Sequence, residues 1–450
     1  MIDSTAGSGR IGRFKAALGD SPPLLWSFLY FFCLLTGYYV LRPVREAMGA
    51  SNDVTTLFPP AMVAFFAGHG VALKELQLQV LFTCTFLIML ALQPVYGWLV
   101  SRWPRRVFLP VVYGFFIVTL LLFYLMFDSR VPGRGMAFFL WVTVFNLFAV
   151  AVFWSFMADI FSDVDARRCY GYIGAAGTLG AILGPILTRT LVERIGIAHL
   201  MLVSAGFLVL CVVCLLRLRR HAVLREQRHR LSSGETPMGG TVLAGLKLLA
   251  QEPLLRWMAV LTVFGVGVGT LLYNEQAAIV RQFYPDPQQA TAYYANIDLA
   301  VNALTLMIQL FVTRALLSRF GIAPAMLVPA FAIILGYAAL AASPLPLLVA
   351  VVQVVTRGSE FSLSKPARET IYTRVAREWR YKAGAAIDTV VYRGGDLSFV
   401  WLHKLLSGFG SQVVFGAGLL VALGMTLGAW KVVGEARKLP DQRIQTEDER

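Results

Sequence analysis

The stretch LTRTLVERIGIAHLMLV (187–203) recurs later in the chain as VTRALLSRFGIAPAMLV (312–328). Ten of the seventeen aligned positions are identical, which is more than the shared use of basic residues and glycine at loops would produce. The identical pairs include two arginines and one glycine, at Arg189/Arg314, Arg194/Arg319 and Gly196/Gly321. Each copy joins one long apolar run to the next. The repeat therefore predicts that the same helix-loop-helix joint is built at least twice.

The rest of the chain is dominated by such apolar runs. Of its 450 residues 57% are hydrophobic and only 15% are charged, whereas roughly 25% of a soluble domain is charged. The mean hydropathy is +0.65. Because a helix needs roughly 20 apolar residues to cross a bilayer, we predict an all-α integral membrane protein. Twelve spans are predicted, at 24–46, 78–100, 107–127, 136–161, 169–192, 197–216, 254–279, 293–317, 322–342, 344–367, 383–406 and 411–432.

On this count the repeat marks equivalent joints of a larger pattern. Weaker copies occur at GWLVSRWPRRVFLPV (97–111) and LHKLLSGFGSQVVF (402–415). The four copies join spans 2–3, 5–6, 8–9 and 11–12, so each lies at the same place in a three-span unit. Inverted and parallel repeats of this kind build the major facilitator fold, and residues 97–106 resemble that superfamily's short loop after span 2. We therefore predict two six-helix halves with inverted three-helix repeats.

The net charge of +14 bears on orientation. In a soluble protein it would suggest nucleic acid as a partner, but here the basic residues lie in short gaps after even-numbered spans. The positive-inside rule then places both termini in the cytoplasm of a multi-pass inner (plasma) membrane protein. The predicted organisation is a cytoplasmic segment (1–23), a six-helix bundle (24–216), a basic cytoplasmic linker (217–253), a second bundle (254–432) and a cytoplasmic tail (433–450). The predicted partners are the bilayer and a small anionic solute, with no nucleic acid, for a monomeric chain.

Motifs for enzymatic chemistry are lacking. The glycines of GAAGTLGAILG, at Gly174, Gly177, Gly180 and Gly184, are not followed by the Lys-Ser/Thr of a phosphate loop. Their spacing favours close helix packing. Cys211 and Cys214 lie inside an apolar run without a second ligand pair, so we predict neither a metal nor a cofactor. The sequence indicates a protein that is not an enzyme and that does not hydrolyse ATP to drive transport.

Ionisable side chains inside the spans are the candidates for function, because each is costly in hydrocarbon. They are Arg42, Arg45 and Glu46 in span 1, Glu275 in span 7, Glu360, Lys365, Arg368 and Glu369 in span 10, and Asp388 in span 11, with Asp298, Arg393 and Asp396 as further buried charges. Internal salt bridges are one interpretation, for example of Arg45 with Glu46 or of Arg368 with Glu369. For Arg393 and Asp396, spaced i,i+3, this interpretation is favoured.

For Arg45 and Arg368 we favour a role in binding. Spans 1, 4, 7 and 10 line the central cavity of a major facilitator fold, and these two arginines lie on spans 1 and 10. Two cations facing one cavity repel each other unless an anion lies between them. A guanidinium offers a planar fork of donors for phosphate or carboxylate. We predict that both contact the anionic part of a substrate.

Four segments resemble the ATP/ADP antiporters, the nucleotide transporter family of plastids and intracellular bacteria. They are YYVLRPVREAM (38–48), FWSFMADIFSDVDARRCYGYIG (153–174), YPDPQQATAYY (284–294) and FSLSKPARETIYTRVAREWRYKAGAAIDTVV (361–391). The resemblance implies a major-facilitator-like fold and nucleotide exchange. The family's two substrate-linked lysines fall on Arg45 and Arg368. Its glutamates in spans 4 and 7 have no direct counterpart: the first falls near Asn146, and the second near Tyr273, beside Asn274 and Glu275.

Three hypotheses remain open at this stage. The first is a secondary transporter that exchanges nucleotides or other phosphate-bearing anions by alternating access, with Trp154, Tyr170 and Tyr273 as candidates for an aromatic clamp at adenine. The second is a major facilitator carrier of another small solute, coupled to protons through Glu360 or Asp388. The third is a membrane assembly protein without transport activity, which the buried charges argue against.

Overall fold

The computed structural model describes residues 23–102, 105–161, 163–230, 242–372, 374–375 and 383–439. Most of the predicted N-terminal segment, the middle of the predicted linker, the basic loop after span 10 and the end of the tail lie outside these residues. Within them the chain is helical throughout, without a strand. The helices are Pro23–Gly49, Val54–Leu57, Pro60–Gly68, Gln77–Arg102, Arg105–Asp128, Arg134–Ile160, Asp163–Arg230, Val242–Gln251, Pro253–Phe283, Pro287–Ile308, Arg314–Phe320, Ile322–Ala342, Pro346–Ser359, Lys365–Tyr372, Gly384–Ala386, Tyr392–Ser407 and Ser411–Ala436.

Ten stretches of the described chain are long and apolar enough to cross a membrane. One of them, Cys169–Arg219, has 51 residues and contains predicted spans 5 and 6, which Gly196 separates. Predicted span 11 is helical up to Ser407 but is not among the ten, because it carries four charged residues. These are Asp388, Arg393, Asp396 and Lys404. The prediction of an all-α membrane protein with about twelve spans is confirmed.

Three copies of the repeated joint contain a glycine with the same backbone geometry. Gly196 has φ 76° and ψ 171°, Gly321 has φ 73° and ψ −161°, and Gly410 has φ 96° and ψ 159°. A positive φ with extended ψ is accessible to glycine and strained for other residues. The matched glycines therefore end one helix and let the next begin in a new direction.

Among the described residues, turns of π-helix occur in three spans, at Gln309–Thr313, Glu360–Ser364 and Ile387–Val391. The first two of these turns contact each other. The Thr313 hydroxyl donates to the Ser362 carbonyl at 2.8 Å, and Gln309 Nε2 donates to the Phe361 carbonyl at 3.2 Å. A π turn inserts one residue and so rotates everything that follows it, and such turns are frequent at functional sites. The second turn directly precedes the segment that carries Arg368.

The chain forms two compact units. They differ from a simple division into an N-terminal and a C-terminal half, because each unit includes one short segment of the other half. Unit 1 comprises Met1–Val71, Ile88–Thr236 and Pro285–Leu299, and unit 2 comprises Ala72–Leu87, Pro237–Tyr284 and Ala300–Arg450. The start of span 2 joins unit 2 because Gln79 Nε2 donates to the Val400 carbonyl at 3.1 Å and Glu75 pairs with Lys404 at 3.1 Å. The boundary at Thr236 falls inside the predicted linker.

Each unit has a core of large side chains, and the hydroxyls of the fully buried Tyr30, Tyr113 and Tyr337 take part in hydrogen bonds there. In unit 1 the buried Tyr30 hydroxyl donates to that of Tyr113 at 2.7 Å, and the rings of Phe31 and Phe153 stack at 4.4 Å. In unit 2 the Tyr337 hydroxyl donates to the Val268 carbonyl at 2.6 Å. Such pairing removes the cost of burying a hydroxyl.

In the loop after span 1 the chain turns on a capped helix. The Asp53 carboxylate accepts from the Thr55 and Thr56 hydroxyls and from their backbone N–H groups. These hydrogen bonds lower the pKa of Asp53 to about 2, and the hydrogen bond from the Thr55 hydroxyl makes the largest contribution. Asp53 thereby caps the N-terminus of the short helix Val54–Leu57, which follows span 1.

The glycines of span 5 are packing positions. A Cβ added at Gly180 would lie 2.5 Å from the Phe32 carbonyl oxygen, and one at Gly184 would lie 2.5 Å from the Tyr39 Cβ. Gly177 similarly faces the side chain of Phe31, whereas a Cβ at Gly174 would meet no atom within 4 Å. Three of the four glycines therefore let span 5 approach span 1 closely, as the sequence predicted.

The close packing of span 5 against span 1 leads to a prediction about stability. Gly180→Ala is expected to destabilise the protein by about 1–3 kcal/mol, because the new methyl group must displace the backbone of span 1 at Phe32. Gly174→Ala on the same helix is the matched control. It adds its methyl group to open space, so its unfolding temperature in detergent should equal or slightly exceed that of the parent. Equal stability of the two variants would contradict the packing role.

Candidate functional site

Four charged side chains form a buried group in unit 1, called here the Arg42 cluster: Arg42, Arg45, Glu46 and Asp298. Glu46 is 5% exposed and Asp298 is 2% exposed. Arg42 lies between these carboxylates, with Nε 3.7 Å from Glu46 Oε1 and Nη1 3.6 Å from Asp298 Oδ1. Arg45 Nη2 makes a short ion pair with the same oxygen of Glu46. Two guanidinium groups thus balance two carboxylates.

Neighbouring helices fix the orientation of these arginines. Arg42 and Glu46 are spaced i,i+4 and therefore face the same side of span 1. The second Arg45 nitrogen, Nη1, donates to the Thr143 hydroxyl of span 4 at 3.3 Å, and the guanidinium lies 5.1 Å from the Phe139 ring centroid. Hydrogen bonds and cation–π contacts to a second helix hold a guanidinium in one position more firmly than a single ion pair does.

Arg368 in unit 2 is held much more loosely. Its side chain is 17% exposed, and it pairs with Asp388 Oδ1 at 3.8 Å, on a side chain that is 64% exposed. Within the described part of the chain, the buried Arg368 Nε has no hydrogen-bond partner. The salt bridge between Arg368 and Glu369 that the sequence left open is replaced by this long pair with Asp388. A buried donor without a partner is costly, but Arg42 Nε also has no hydrogen-bond partner among the described residues. What sets Arg368 apart is its long distance to an exposed carboxylate, which leaves the guanidinium suited to an incoming acceptor.

The other charged candidates of span 10 lie on the surface of the described structure. Glu360, Lys365 and Glu369 are all exposed. Glu360 is the first residue of the π turn, and Lys365 directly follows that turn. The structure therefore brings Arg368 and Asp388 together and leaves these three outside the ionic group.

Unit 2 also contains a buried pair that joins spans 7 and 11. Glu275 Oε1 lies 2.8 Å from His403 Nε2, and the two side chains are 7% and 10% exposed. Asn274, next to Glu275, donates its amide to the Thr270 carbonyl of its own helix at 2.8 Å. The Thr270 hydroxyl in turn donates to Asp396 at 3.0 Å.

The predicted salt bridge within span 11 is present. Arg393 Nη1 lies 3.3 Å from Asp396 Oδ2. Together with the Thr270 hydroxyl, this arginine satisfies Asp396.

The aromatic candidates cluster within unit 1. Trp154 and Tyr170 meet edge to face with centroids 5.2 Å apart, and Trp154 also contacts Phe31 at 5.3 Å. Asn146 lies on the same helix as Trp154 and is partly buried. Edge-to-face contacts with neighbouring rings are the geometry of core packing.

Cys211 and Cys214 are buried and reduced. Among the described residues there is no cluster of three potential metal ligands.

Three contacts of the candidate site could not be predicted from the sequence. Asp298 was recognised as a buried charge, but its partner Arg42 lies 256 positions earlier in the chain. His403 stands alone in the sequence because its partner is on another span. Thr143 carries no ionic signal at all.

Residues 54–395, more than half of the chain, match the Major Facilitator Superfamily. The chain therefore belongs to this superfamily of membrane transporters. Two curated relatives are similar along nearly the whole length, and both are named ADP,ATP carrier protein 1. The one from Chlamydia trachomatis is 22% identical over 88% of this chain and 85% of its own length. The one from Chlamydia muridarum is 22% identical over 90% of this chain and 85% of its own length.

Solved structures agree on the fold. The crystal structure of the POT family transporter PepTSo superposes with a TM-score of 0.60 and 14% identity, covering 93% of this chain and 98% of that one. The resemblance to a major-facilitator-like nucleotide carrier family, predicted from four sequence segments, is confirmed by the relatives.

Proposed function

We propose that this protein is a secondary transporter that exchanges phosphate-bearing anions, with adenine nucleotides as the first candidates. The observation that carries the proposal is the similarity, over most of both chains, to two proteins named ADP,ATP carrier protein 1. Because no motif for ATP hydrolysis occurs in the sequence, the driving force is a solute gradient or a counter-substrate. On this proposal the protein is not an enzyme.

Arg368 supports an anionic substrate. Its guanidinium is largely buried, and the Asp388 carboxylate that pairs with it is 3.8 Å away and mostly exposed. A phosphate group could take two parallel N–H donors from such a side chain. Asp388 would then serve as the counter-ion that an arriving phosphate replaces.

Arg45 supports the same chemistry in unit 1. Glu46 and Thr143 hold its guanidinium in one orientation. A cation that is fixed before binding loses less conformational freedom when it contacts a ligand. We therefore propose Arg45 as a second anion-binding side chain, with Arg42, Glu46 and Asp298 positioning it.

The orientation in the membrane is part of the proposal. The basic gaps after even-numbered spans support cytoplasmic termini and a cytoplasmic linker at 217–253. We also propose the inner (plasma) membrane as the location and a monomer as the working unit.

A thermal-shift panel on the purified protein tests the substrate class. ATP, ADP and inorganic phosphate are compared with adenosine, which has the base but no phosphate. We expect ATP or ADP to raise the melting temperature, because a ligand stabilises the folded state by mass action, by about 2.7 kcal/mol at a hundredfold excess over Kd. Adenosine should have little effect. Exchange is then measured in liposomes loaded with ADP, with empty liposomes as the control.

Two results would refute this function. One is stabilisation by adenosine equal to that by ATP, since the phosphate would then contribute nothing. The other is uptake that occurs equally in loaded and empty liposomes, which would exclude exchange.

A further inference from the structure

Each unit carries a cation over a tryptophan ring, where the first and the last span of its six-helix half lie side by side. In unit 1 the guanidinium carbon of Arg217, at the end of span 6, lies 5.7 Å from the ring centroid of Trp26, at the start of span 1. In unit 2 the Lys431 Nζ, near the end of span 12, lies 5.8 Å from the ring centroid of Trp257, at the start of span 7. We propose that each of these two pairs binds the headgroup of an anionic phospholipid.

The four residues lie at the depth of lipid headgroups. Trp26 and Trp257 are within five residues of the start of their apolar helix, and Arg217 and Lys431 are within five residues of the end of theirs. At 1.5 Å per residue this places them roughly 3–8 Å from the helix ends. The interfacial layer on each side of the hydrocarbon is about 5–7 Å thick, so both pairs are within reach of lipid phosphates.

Both cations are available to bind an anion. Arg217 and Lys431 are exposed, and neither pairs with a carboxylate within the part of the chain that the structure describes. The one acidic residue on the helix of Lys431, Glu435, pairs with Lys438 at 2.7 Å. A contact with a ring face orients a cation and leaves its N–H donors for phosphate oxygens.

The surface beside each cation favours a lipid over a soluble phosphate. On span 6 the residues Val213 and Leu210 are exposed, and on span 12 so are Leu427 and Leu423. They precede the cation by four and by seven or eight residues, which places them about one and two turns deeper on the same side of the helix. A phospholipid bound through its headgroup would lay its acyl chains along this apolar surface, whereas a free phosphate would not contact it.

The two sites are equivalent in the repeat and independent of the transported solute. Each is built from the first and the last span of one six-helix half, and each lies within a single unit. In unit 2 a second ring contributes, since Lys431 Nζ also lies 5.8 Å from the ring centroid of Trp430, which is 62% exposed. Tryptophan is enriched at the membrane interface, and basic residues there attract anionic lipids.

The first test compares two lipids that differ only in headgroup charge. The purified protein is mixed with equal amounts of phosphatidylglycerol and phosphatidylcholine that carry the same acyl chains, and the retained lipids are counted by native mass spectrometry. We expect the parent to retain up to two molecules of phosphatidylglycerol in preference to phosphatidylcholine. Arg217→Gln and Lys431→Gln should each weaken phosphatidylglycerol binding about fivefold at one site, the effect of one cation near the membrane surface. The double variant should show no preference.

Two further double variants are the matched controls. Arg217→Lys with Lys431→Arg keeps both charges over the rings and should keep the preference for phosphatidylglycerol. Arg189→Gln with Arg319→Gln removes the same total charge from exposed positions that have no ring contact among the described residues. This variant should bind lipid like the parent. An equal loss of preference in Arg189→Gln with Arg319→Gln would show that net charge alone attracts the lipid and would overturn the two sites.

The second test separates a lipid from a soluble anion. The melting temperature in detergent is measured with phosphatidylglycerol, with phosphatidylcholine and with inorganic phosphate at constant ionic strength. We expect phosphatidylglycerol to raise the melting temperature of the parent but not that of Arg217→Gln with Lys431→Gln, because a ligand stabilises the state that binds it. Inorganic phosphate should affect both proteins equally. A phosphate effect that the double variant abolishes would assign the cations to a soluble anion. Equal lipid preference in the parent and in this double variant would overturn the proposal outright.

Discussion

Replacing Glu46 by glutamine is expected to destabilise the protein by about 3–5 kcal/mol, because it leaves buried guanidinium groups without their shared carboxylate. Glu46 Oε1 contacts both Arg42 and Arg45, so one substitution removes two ion pairs. Asp298 remains 3.6 Å from Arg42 but does not replace the lost partner of Arg45. The measurement is the melting temperature in detergent, or the midpoint of denaturation where unfolding is reversible.

Glu193→Gln is the matched control for this prediction. Glu193, just after span 5, pairs with Arg189 at 2.9 Å, and their side chains are 55% and 42% exposed. An exposed pair of this kind contributes only about 0–1 kcal/mol. Equal losses of stability in the two variants would show that the Arg42 cluster is no more important to the fold than a surface pair.

Replacing Arg368 by glutamine is expected to weaken ATP or ADP binding roughly tenfold to a hundredfold, since a charge-assisted hydrogen bond to phosphate contributes about 1.5–3 kcal/mol. Folding should be nearly unchanged, because the partner Asp388 is 64% exposed and its carboxylate can be solvated. Arg368→Lys should lose less affinity than Arg368→Gln, because it keeps the charge and loses only the planar fork. Affinity is measured by calorimetry and stability by thermal denaturation.

Arg189→Gln serves as the control for charge alone. It removes the same +1 charge from an exposed position and should leave nucleotide affinity as it is. Parental affinity in a folded Arg368→Gln protein would rule out this arginine as an anion ligand. A fall in melting temperature without loss of affinity would indicate a structural salt bridge instead.

The fold was largely predictable from the sequence because its determinants are local. Twenty or so apolar residues must be helical in a bilayer, where no water is present to satisfy the backbone. The repeated joint is also local, since a glycine with positive φ is required at each of Gly196, Gly321 and Gly410. The packing role of Gly180 and Gly184 followed from their spacing alone.

The candidate site was predictable only in its composition. The sequence identified the charges within the spans and the i,i+3 pair of Arg393 and Asp396. Their partners stayed open where two spans were involved. Arg368 contacts Asp388 rather than Glu369, and the π turn before Arg368 contributes to this because it rotates the following residues relative to a regular helix.

The sequence by itself determined that this protein is a helical membrane transporter of the Major Facilitator type, because hydropathy and the three-span repeat act over short distances along the chain. Only the tertiary structure decided which buried charges neutralise one another. Asp298 reaches Arg42 from the start of span 8, and His403 reaches Glu275 from span 11. A charge buried in a membrane protein needs a partner within a few ångströms in space, and that partner is chosen by how the helices pack.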